Sequence, residues 1–197
     1  MTDVAVAAFK EDLTFQPRYR SLATLADEPA GLTCSVTVGR RWAAEGRAGS
    51  VVGYPAFELA AERVRAGEHD VLLVPSAYPD IRSFFFDPEL KAVETFLGLL
   101  PDMVFAVPQG VDPERLEVVY HHPATKSLVE SLTEPIGGTV LASSNSSACR
   151  DALGHDGPAG AVTNETSADH YGMRTVRVLS AGTPMGFVVF SRKDHRD

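Results

Sequence analysis

Three short polar segments of this chain, residues 76–80, 143–147 and 163–165, carry side chains that could bind or transform a ligand. Each segment directly follows an apolar run of the kind that forms a buried strand. In α/β proteins, ligands bind outside the carboxyl ends of the strands, where loops of this type begin. The segments therefore predict a cleft that holds a small anionic substrate.

The segment 143–147 reads Ser-Ser-Asn-Ser-Ser and precedes a predicted helix. Ser and Asn at a helix start pair with free backbone N–H groups, and the same N–H groups and the helix dipole can bind a carboxylate or phosphate. Plain helix capping and ligand binding both explain this pattern, here and at 163–165. The candidate binding residues of the two segments are Asn145, Ser146, Ser147, Thr163, Asn164 and Glu165.

The loop at 76–80 follows the apolar run 71–74, which ends at Pro75. It places Ser76, Ala77 and Tyr78 at a predicted strand end. Three phenylalanines follow at 84–86, and they either pack inside the protein or form a wall for a hydrophobic ring.

Charge and composition exclude several classes of function. The net charge of −8 and the sequence pI of about 5.2 argue against a nucleic-acid partner, which needs a basic surface. Cys34 and Cys149 are too few for a disulfide framework, and the histidines lack metal-ligand spacing, so no metal is predicted. The sequence has no apolar run near the roughly 20 residues that a membrane span needs, and its first residues do not resemble a signal peptide. We therefore expect a cytoplasmic protein without a membrane partner.

Strands and short helices alternate along the chain, which predicts an α/β fold with mostly parallel sheets covered on both faces. The predicted division is one lobe of residues 1–78 plus 174–197 and a second lobe of residues 79–173, with a central cleft between them. The predicted strands are 22–25, 50–54, 70–74, 87–98, 103–107, 117–121, 139–142, 160–163, 174–179 and 186–190. The predicted helices are 33–45, 55–66, 123–132, 144–153 and 165–171.

Four segments carry a resemblance to a known family: VPSAYPDIRSFFFDPEL at 74–90, NSSA at 145–148, VTNETSADHYGM at 162–173 and TPMGFVVF at 183–190. Over residues 22–190 the chain resembles the prephenate dehydratase-like family, and within it the short prephenate decarboxylases of bacilysin-type antibiotic biosynthesis. Dehydratases of this family carry Glu-Asn-Ser where this chain has Ser76-Ala77-Tyr78, and Thr-Arg-Phe where it has TPMGFVVF. The resemblance implies a two-lobed fold of the type II periplasmic-binding-protein kind, with neither cofactor nor metal.

The resemblance also implies a reaction, the removal of the ring carboxylate of prephenate as carbon dioxide with the ring hydroxyl retained. The product would be a dihydro-4-hydroxyphenylpyruvate. In this interpretation Tyr78 is catalytic and lies near the hydroxyl or the protonated carbon. The other implied roles are carboxylate binding by Thr33, Ser35, Asn145, Ser146 and Ser147, ring-site shaping by Ser76 and Ala77, a counter-ion at Arg82, apolar walls at Phe84 and Met185, and completion of the opposite lobe by Thr163, Asn164 and Glu165.

Two alternatives stay open because one family motif is altered. The family's Gly-Pro-x-Gly-Thr-x-Ser loop is present as Glu-Pro-Ala-Gly-Leu-Thr-Cys-Ser at 28–35, with the first Gly replaced and Leu32 inserted. The first alternative is a dehydratase-like lyase that acts on a related cyclic acid. The second is a non-catalytic module that binds a small acid, because fold alone does not define chemistry. A homodimer is a further expectation.

Overall fold

The chain folds into two five-stranded sheets, as a computed structural model that describes residues 18–26 and 31–193 shows. The first sheet has the strand order β2-β1-β3-β10-β4, and the second sheet has the order β7-β6-β8-β5-β9. The strands are β1 Leu22–Leu25, β2 Val51–Tyr54, β3 Val71–Pro75, β4 Leu90–Leu99, β5 Met103–Val107, β6 Val118–His121, β7 Thr139–Leu141, β8 Ala159–Asn164, β9 Arg174–Ser180 and β10 Pro184–Arg192.

Six α-helices in the described part of the chain are distributed over the two sheets: α1 Cys34–Trp42, α2 Phe57–Arg65, α3 Ile81–Phe85, α4 Lys126–Glu130, α5 Asn145–Leu153 and α6 Glu165–His170. The predicted helices are confirmed apart from their ends, and α3 is a short helix that the sequence did not predict. Within residues 18–26 and 31–193, no helix is long and apolar enough to cross a membrane.

Both sheets are mixed. In the first sheet β1 pairs in parallel with β2 and β3, whereas β10 pairs antiparallel with β3 and β4. In the second sheet β6 pairs in parallel with β7 and β8, whereas β5 pairs antiparallel with β8 and β9. The predicted α/β class is confirmed, but parallel and antiparallel pairings are equally frequent instead of mostly parallel.

The strand membership of the sheets differs from the predicted division at two places. β4 lies in the predicted second lobe but is hydrogen-bonded to β10 in the first sheet. β9 lies in the predicted first lobe but pairs with β5 in the second sheet. The chain therefore passes between sheets at residues 100–102 and 181–183. The division into lobes itself stays a prediction.

Each sheet has an apolar cluster on both of its faces. The first sheet packs α2 and α3 on one face, through Phe57, Val64 and Phe84, and α1 on the other, through Val38 and Trp42. In the second sheet, α5 and α6 cover one face through alanine-rich surfaces. The central strands β3 and β8 are buried almost throughout, which explains their continuous runs of apolar residues.

A substitution at Gly98 would test how tightly α1 packs on the first sheet. A methyl group at Gly98 would lie 2.6 Å from Val38 Cγ1 and 3.2 Å from the Phe187 ring. We expect Gly98→Ala to lower the free energy of unfolding by about 1–3 kcal/mol, because overpacking forces its neighbours to move. Equilibrium urea denaturation measures this change. A Gly138→Ala control, with no atom within 4 Å of the new methyl, should change it by less than about 0.5 kcal/mol; equal losses in both variants would contradict the packing argument.

Candidate functional site

The starts of three helices meet where the two sheets contact each other. α1 follows β1 of the first sheet, while α5 follows β7 and α6 follows β8 of the second sheet. All three helices therefore begin at carboxyl ends of strands, as the sequence predicts. The first N–H groups of a helix have no partner within the helix and carry a partial positive charge. Their convergence creates a region that favours an anion.

Asn164 joins the two sheets through hydrogen bonds to backbone groups. It is fully buried at the end of β8 and caps α6, because its Oδ1 accepts from Ser167 N at 2.8 Å. Its Nδ2 donates to Leu32 O at 3.1 Å, in the turn before α1. The Ser167 hydroxyl donates to the same carbonyl at 3.3 Å. Gly31 enables this turn with a φ of 56°, a conformation that side-chain-bearing residues rarely adopt.

Cys34 lies between the side-chain amides of two asparagines. Asn145 Nδ2 is 3.6 Å and Asn164 Nδ2 is 3.7 Å from Cys34 Sγ, and both donate to the sulfur. Burial raises the pKa of the Cys34 thiol above its ordinary value, and the two amides only partly offset this effect. The group between the amides is therefore a neutral thiol at physiological pH.

Three of the predicted ligand-binding hydroxyls are engaged in local structure. Thr33 caps α1: its hydroxyl donates to Leu25 O at 2.6 Å and accepts from Val36 N. Ser147 forms a reciprocal capping box with Ser144 at the start of α5. Thr163 donates to Asn145 O at 2.6 Å. These hydrogen bonds show that the hydroxyls position the helix starts, which is the capping interpretation that the sequence left open.

The remaining predicted residues of this region surround the same helix starts. Ser35 and Ser146 are buried in the first turns of α1 and α5. Those two first turns contain no acidic residue. Glu165 is exposed at the start of α6, and its carboxylate accepts from Asp102 N at 3.4 Å. This contact orients Glu165 toward the segment that links the sheets.

A second group of predicted residues lies at the carboxyl end of β3. Ser76 and Ala77 are exposed, and Ser76 N donates to Gly186 O at 2.8 Å. The Ser76 hydroxyl contacts Met185 Sδ at 3.8 Å. β1 and β3 are parallel neighbours, so this group occupies the same sheet edge as the start of α1.

Tyr78 is held against α2. Its hydroxyl donates to Glu58 Oε1 at 2.5 Å, and its ring lies 4.7 Å from the Phe57 ring between centroids. Partial burial, followed by the Glu58 carboxylate, raises the pKa of the Tyr78 phenol well above its ordinary value. The phenol is therefore protonated and is a hydrogen-bond donor at neutral pH.

Two predicted residues lie elsewhere. Phe84 is only 2% exposed and packs in the core against Phe190 and Tyr78, at ring-centroid distances of 5.9 and 6.2 Å. It is a core residue here instead of an open wall, because α3 turns this one of the three phenylalanines inward. Arg82 is exposed, and its guanidinium makes no ion pair or hydrogen bond with a residue in the described ranges. The role of Arg82 as a counter-ion stays a prediction.

Sequence reasoning missed several residues that the structure places at the site. Cys34, Leu32 through its carbonyl group, Ser167 and Glu58 were not among the candidates. Only Cys34 had a usable signal, its place inside the motif-like stretch 31–35. Across residues 18–26 and 31–193, no three His, Cys, Asp or Glu side chains lie close enough to hold a metal ion.

Comparison with solved structures identifies the fold of this chain. The structure of a prephenate dehydratase from Arthrobacter aurescens, in complex with L-Phe, matches with a TM-score of 0.69 at 18% identity over 88% of this chain. The chain spans 61% of that dehydratase chain. A double-mutant form of the VFT2 domain of Bordetella pertussis BvgS matches with a TM-score of 0.50 at 17% identity, over 88% of this chain and 80% of that one. The fold is thus α/β, of the type II periplasmic-binding-protein kind.

Sequence similarity points to one kind of protein within this fold. The chain is similar to a curated prephenate decarboxylase from Bacillus subtilis, with 27% identity over 146 residues, which cover 72% of this chain and 70% of the relative. No family model matches the chain. The similarity confirms the resemblance to prephenate decarboxylases that the sequence motifs indicate.

The buried Cys149 thiol provides a test of the packing behind α5. Burial raises its pKa from 9.0 to about 11, and a contact with Thr163 Oγ1 at 3.3 Å only partly opposes this. The folded thiol keeps its proton where the unfolded thiol has lost it. The free energy of unfolding should therefore fall between pH 9 and pH 11, by about 2–3 kcal/mol from this group.

Urea denaturation at a series of pH values measures this loss. Cys149→Ser lacks the titrating thiol, so its stability should fall less steeply over the same pH range. Identical slopes for the two proteins would contradict the assignment.

Proposed function

We propose that this protein decarboxylates prephenate without forming an aromatic ring, and that the product is a dihydro-4-hydroxyphenylpyruvate. The observation that carries the proposal is the meeting of three helix starts around the amides of Asn145 and Asn164. Prephenate is a dianion, and the first turns of α1 and α5, which contain no acidic residue, would supply N–H groups for its carboxylates. The similarity to curated prephenate decarboxylases supports the same substrate and reaction.

The product of prephenate decarboxylation depends on where the released electron pair goes. Breaking the bond between the ring and its carboxylate releases carbon dioxide and leaves an electron pair that moves into the diene. If the ring hydroxyl leaves as hydroxide, the ring becomes aromatic. If a ring carbon takes a proton instead, the hydroxyl stays and the ring remains non-aromatic. The site must therefore deliver a proton to carbon and offer no acid to the hydroxyl oxygen.

Residues at the carboxyl end of β3 could hold the ring and take part in the proton transfer. Tyr78 is a protonated phenol, and we propose it as the catalytic residue that lies near the hydroxyl or the protonated carbon. Ser76, Ala77 and Met185 would contact the ring from the same edge. A role in antibiotic biosynthesis, a cytoplasmic location and a homodimer remain predictions.

The first experiment is incubation of the purified protein with prephenate, followed by ultraviolet and mass analysis and a carbon dioxide assay. We expect a non-aromatic product that has lost only carbon dioxide. Phenylpyruvate would identify a dehydratase-type lyase and would overturn the proposal. Unchanged prephenate, together with measurable binding by calorimetry, would identify a binding module and would overturn it equally.

Replacing Tyr78 by Phe tests the catalytic role. The ring contacts with Phe57 remain, while the hydroxyl and its hydrogen bond to Glu58 are lost. We expect kcat to fall by roughly 100-fold or more, the usual contribution of one positioned proton donor, or the product stereochemistry to change. Stopped assays with chiral product analysis measure both. Glu58→Gln serves as the matched control, because it keeps a hydrogen-bond acceptor for the phenol; Tyr78→Phe with wild-type turnover and product would remove Tyr78 from the mechanism.

A further inference from the structure

Asn145 carries an acceptor atom that has no hydrogen-bond partner among residues 18–26 and 31–193. Its Oδ1 is buried from solvent and makes no hydrogen bond with any residue in the described part of the chain. Buried polar atoms in folded proteins are nearly always paired. Asn145 is also the first residue of α5, at the meeting point of the helix starts. An unpaired acceptor at this place indicates that a ligand donor completes it.

The neighbouring groups fix which end of the Asn145 amide faces which way. Asn164 cannot reverse its own amide, because Ser167 N donates to its Oδ1 and its Nδ2 donates to Leu32 O. Its Nδ2 therefore lies at Cys34 Sγ. Asn145 Nδ2 donates to the same sulfur at 3.6 Å, which turns Asn145 Oδ1 away from Cys34. In this arrangement the sulfur accepts from both amides, and Oδ1 is the atom of the Asn145 amide without a hydrogen bond in the described ranges.

We propose that Cys34 is a positioning residue that holds Asn145 Oδ1 toward the ring hydroxyl of prephenate, so that the hydroxyl is retained during decarboxylation. This inference rests on the proposed function. Prephenate as a dianion has two carboxylates, one ketone and one hydroxyl, and the hydroxyl is its single hydrogen-bond donor. The ring hydroxyl is therefore the group of prephenate that can donate a hydrogen bond to Asn145 Oδ1.

The direction of this hydrogen bond determines the product. When the hydroxyl donates to Oδ1, its oxygen receives no proton and is a poor leaving group. The bond to the carboxylate then breaks, carbon dioxide leaves, and the electron pair shifts along the ring to a carbon that takes one proton, ultimately from water. With the amide reversed, Nδ2 would donate to the hydroxyl oxygen and assist its departure as hydroxide, which yields phenylpyruvate and carbon dioxide.

The test replaces the sulfur and measures the ratio of phenylpyruvate to the non-aromatic product. Cys34→Ala and Cys34→Val both remove the acceptor, and the valine keeps most of the packing volume, so the pair guards against a folding defect. We expect the phenylpyruvate fraction to rise roughly five- to tenfold, about the effect of one hydrogen bond on the competition between two barriers. Cys34→Ser retains an acceptor and should keep the wild-type ratio.

Two further variants separate positioning from general damage. Cys149→Ser alters the other buried cysteine, which contacts Thr163 Oγ1 and the backbone carbonyl of Asn145. Because Cys149 contacts no side-chain amide, and serine can make both hydrogen bonds, this variant should leave the product ratio unchanged. Asn145→Asp combined with Cys34→Ala should restore the non-aromatic product, because a carboxylate offers only acceptors to the hydroxyl. A structural defect at Cys34 would not be rescued by this second change.

The outcomes distinguish this inference from the proposed function. An active wild-type decarboxylase whose product ratio is unchanged in both Cys34→Ala and Cys34→Val overturns the role of Cys34 and leaves the function standing. A wild-type protein that makes only phenylpyruvate, or no product, overturns the proposed function. A raised phenylpyruvate fraction in either Cys34 variant, with rescue by Asn145→Asp, establishes the positioning role.

Discussion

The buried amide of Asn164 is the interaction on which the site depends. Removing an amide from water is unfavourable unless it is hydrogen-bonded, and Asn164 makes hydrogen bonds to Ser167 N and Leu32 O. Both partners are backbone groups, so the position of α1 relative to β8 is set by main-chain geometry. The contact joins the turn before α1 to the end of β8 and thus links the two sheets. The Cys34 sulfur, one residue past the cap of α1, lies between the two asparagines as a result.

The hydroxyl groups of the site have a structural use, and so does the Asn164 amide, whereas Asn145 Oδ1 has no hydrogen-bond partner within the described ranges. Thr33 and Ser147 cap helices, and Thr163 secures the start of α5 from the neighbouring strand. Helix starts held in this way are rigid, and rigid donors stabilise developing charge without reorganising. This arrangement fits the proposed decarboxylation, in which a dianion is oriented and one proton is delivered to carbon. It also explains why a chain with a net charge of −8 can provide a local site for an anion.

Much of the architecture follows from local patterns. The buried run before Pro75 predicts β3, and polar residues after such runs predict helix starts at carboxyl strand ends, where Asn145 and Asn164 indeed lie. The pairing of β4 with β10 and of β9 with β5 was not predicted, because antiparallel pairings depend on contacts between distant segments. The place of Cys34 between two amides arises from the contact of the sheets and has no periodic signal. The inward direction of Phe84 likewise depends on how α3 packs on the first sheet.

The order of the strands along the chain has a consequence for biosynthesis. β5 to β9 are consecutive, so every strand of the second sheet is available once the ribosome has released residue 180. The first sheet contains β10 between β3 and β4, and it remains split into two parts until residues 184–192 have emerged. During translation β3 and β4 thus expose the edges that β10 later occupies, and unpaired edges of this kind invite wrong pairing with other chains. The nascent chain therefore passes through an interval in which its second sheet can form while its first sheet needs protection from aggregation.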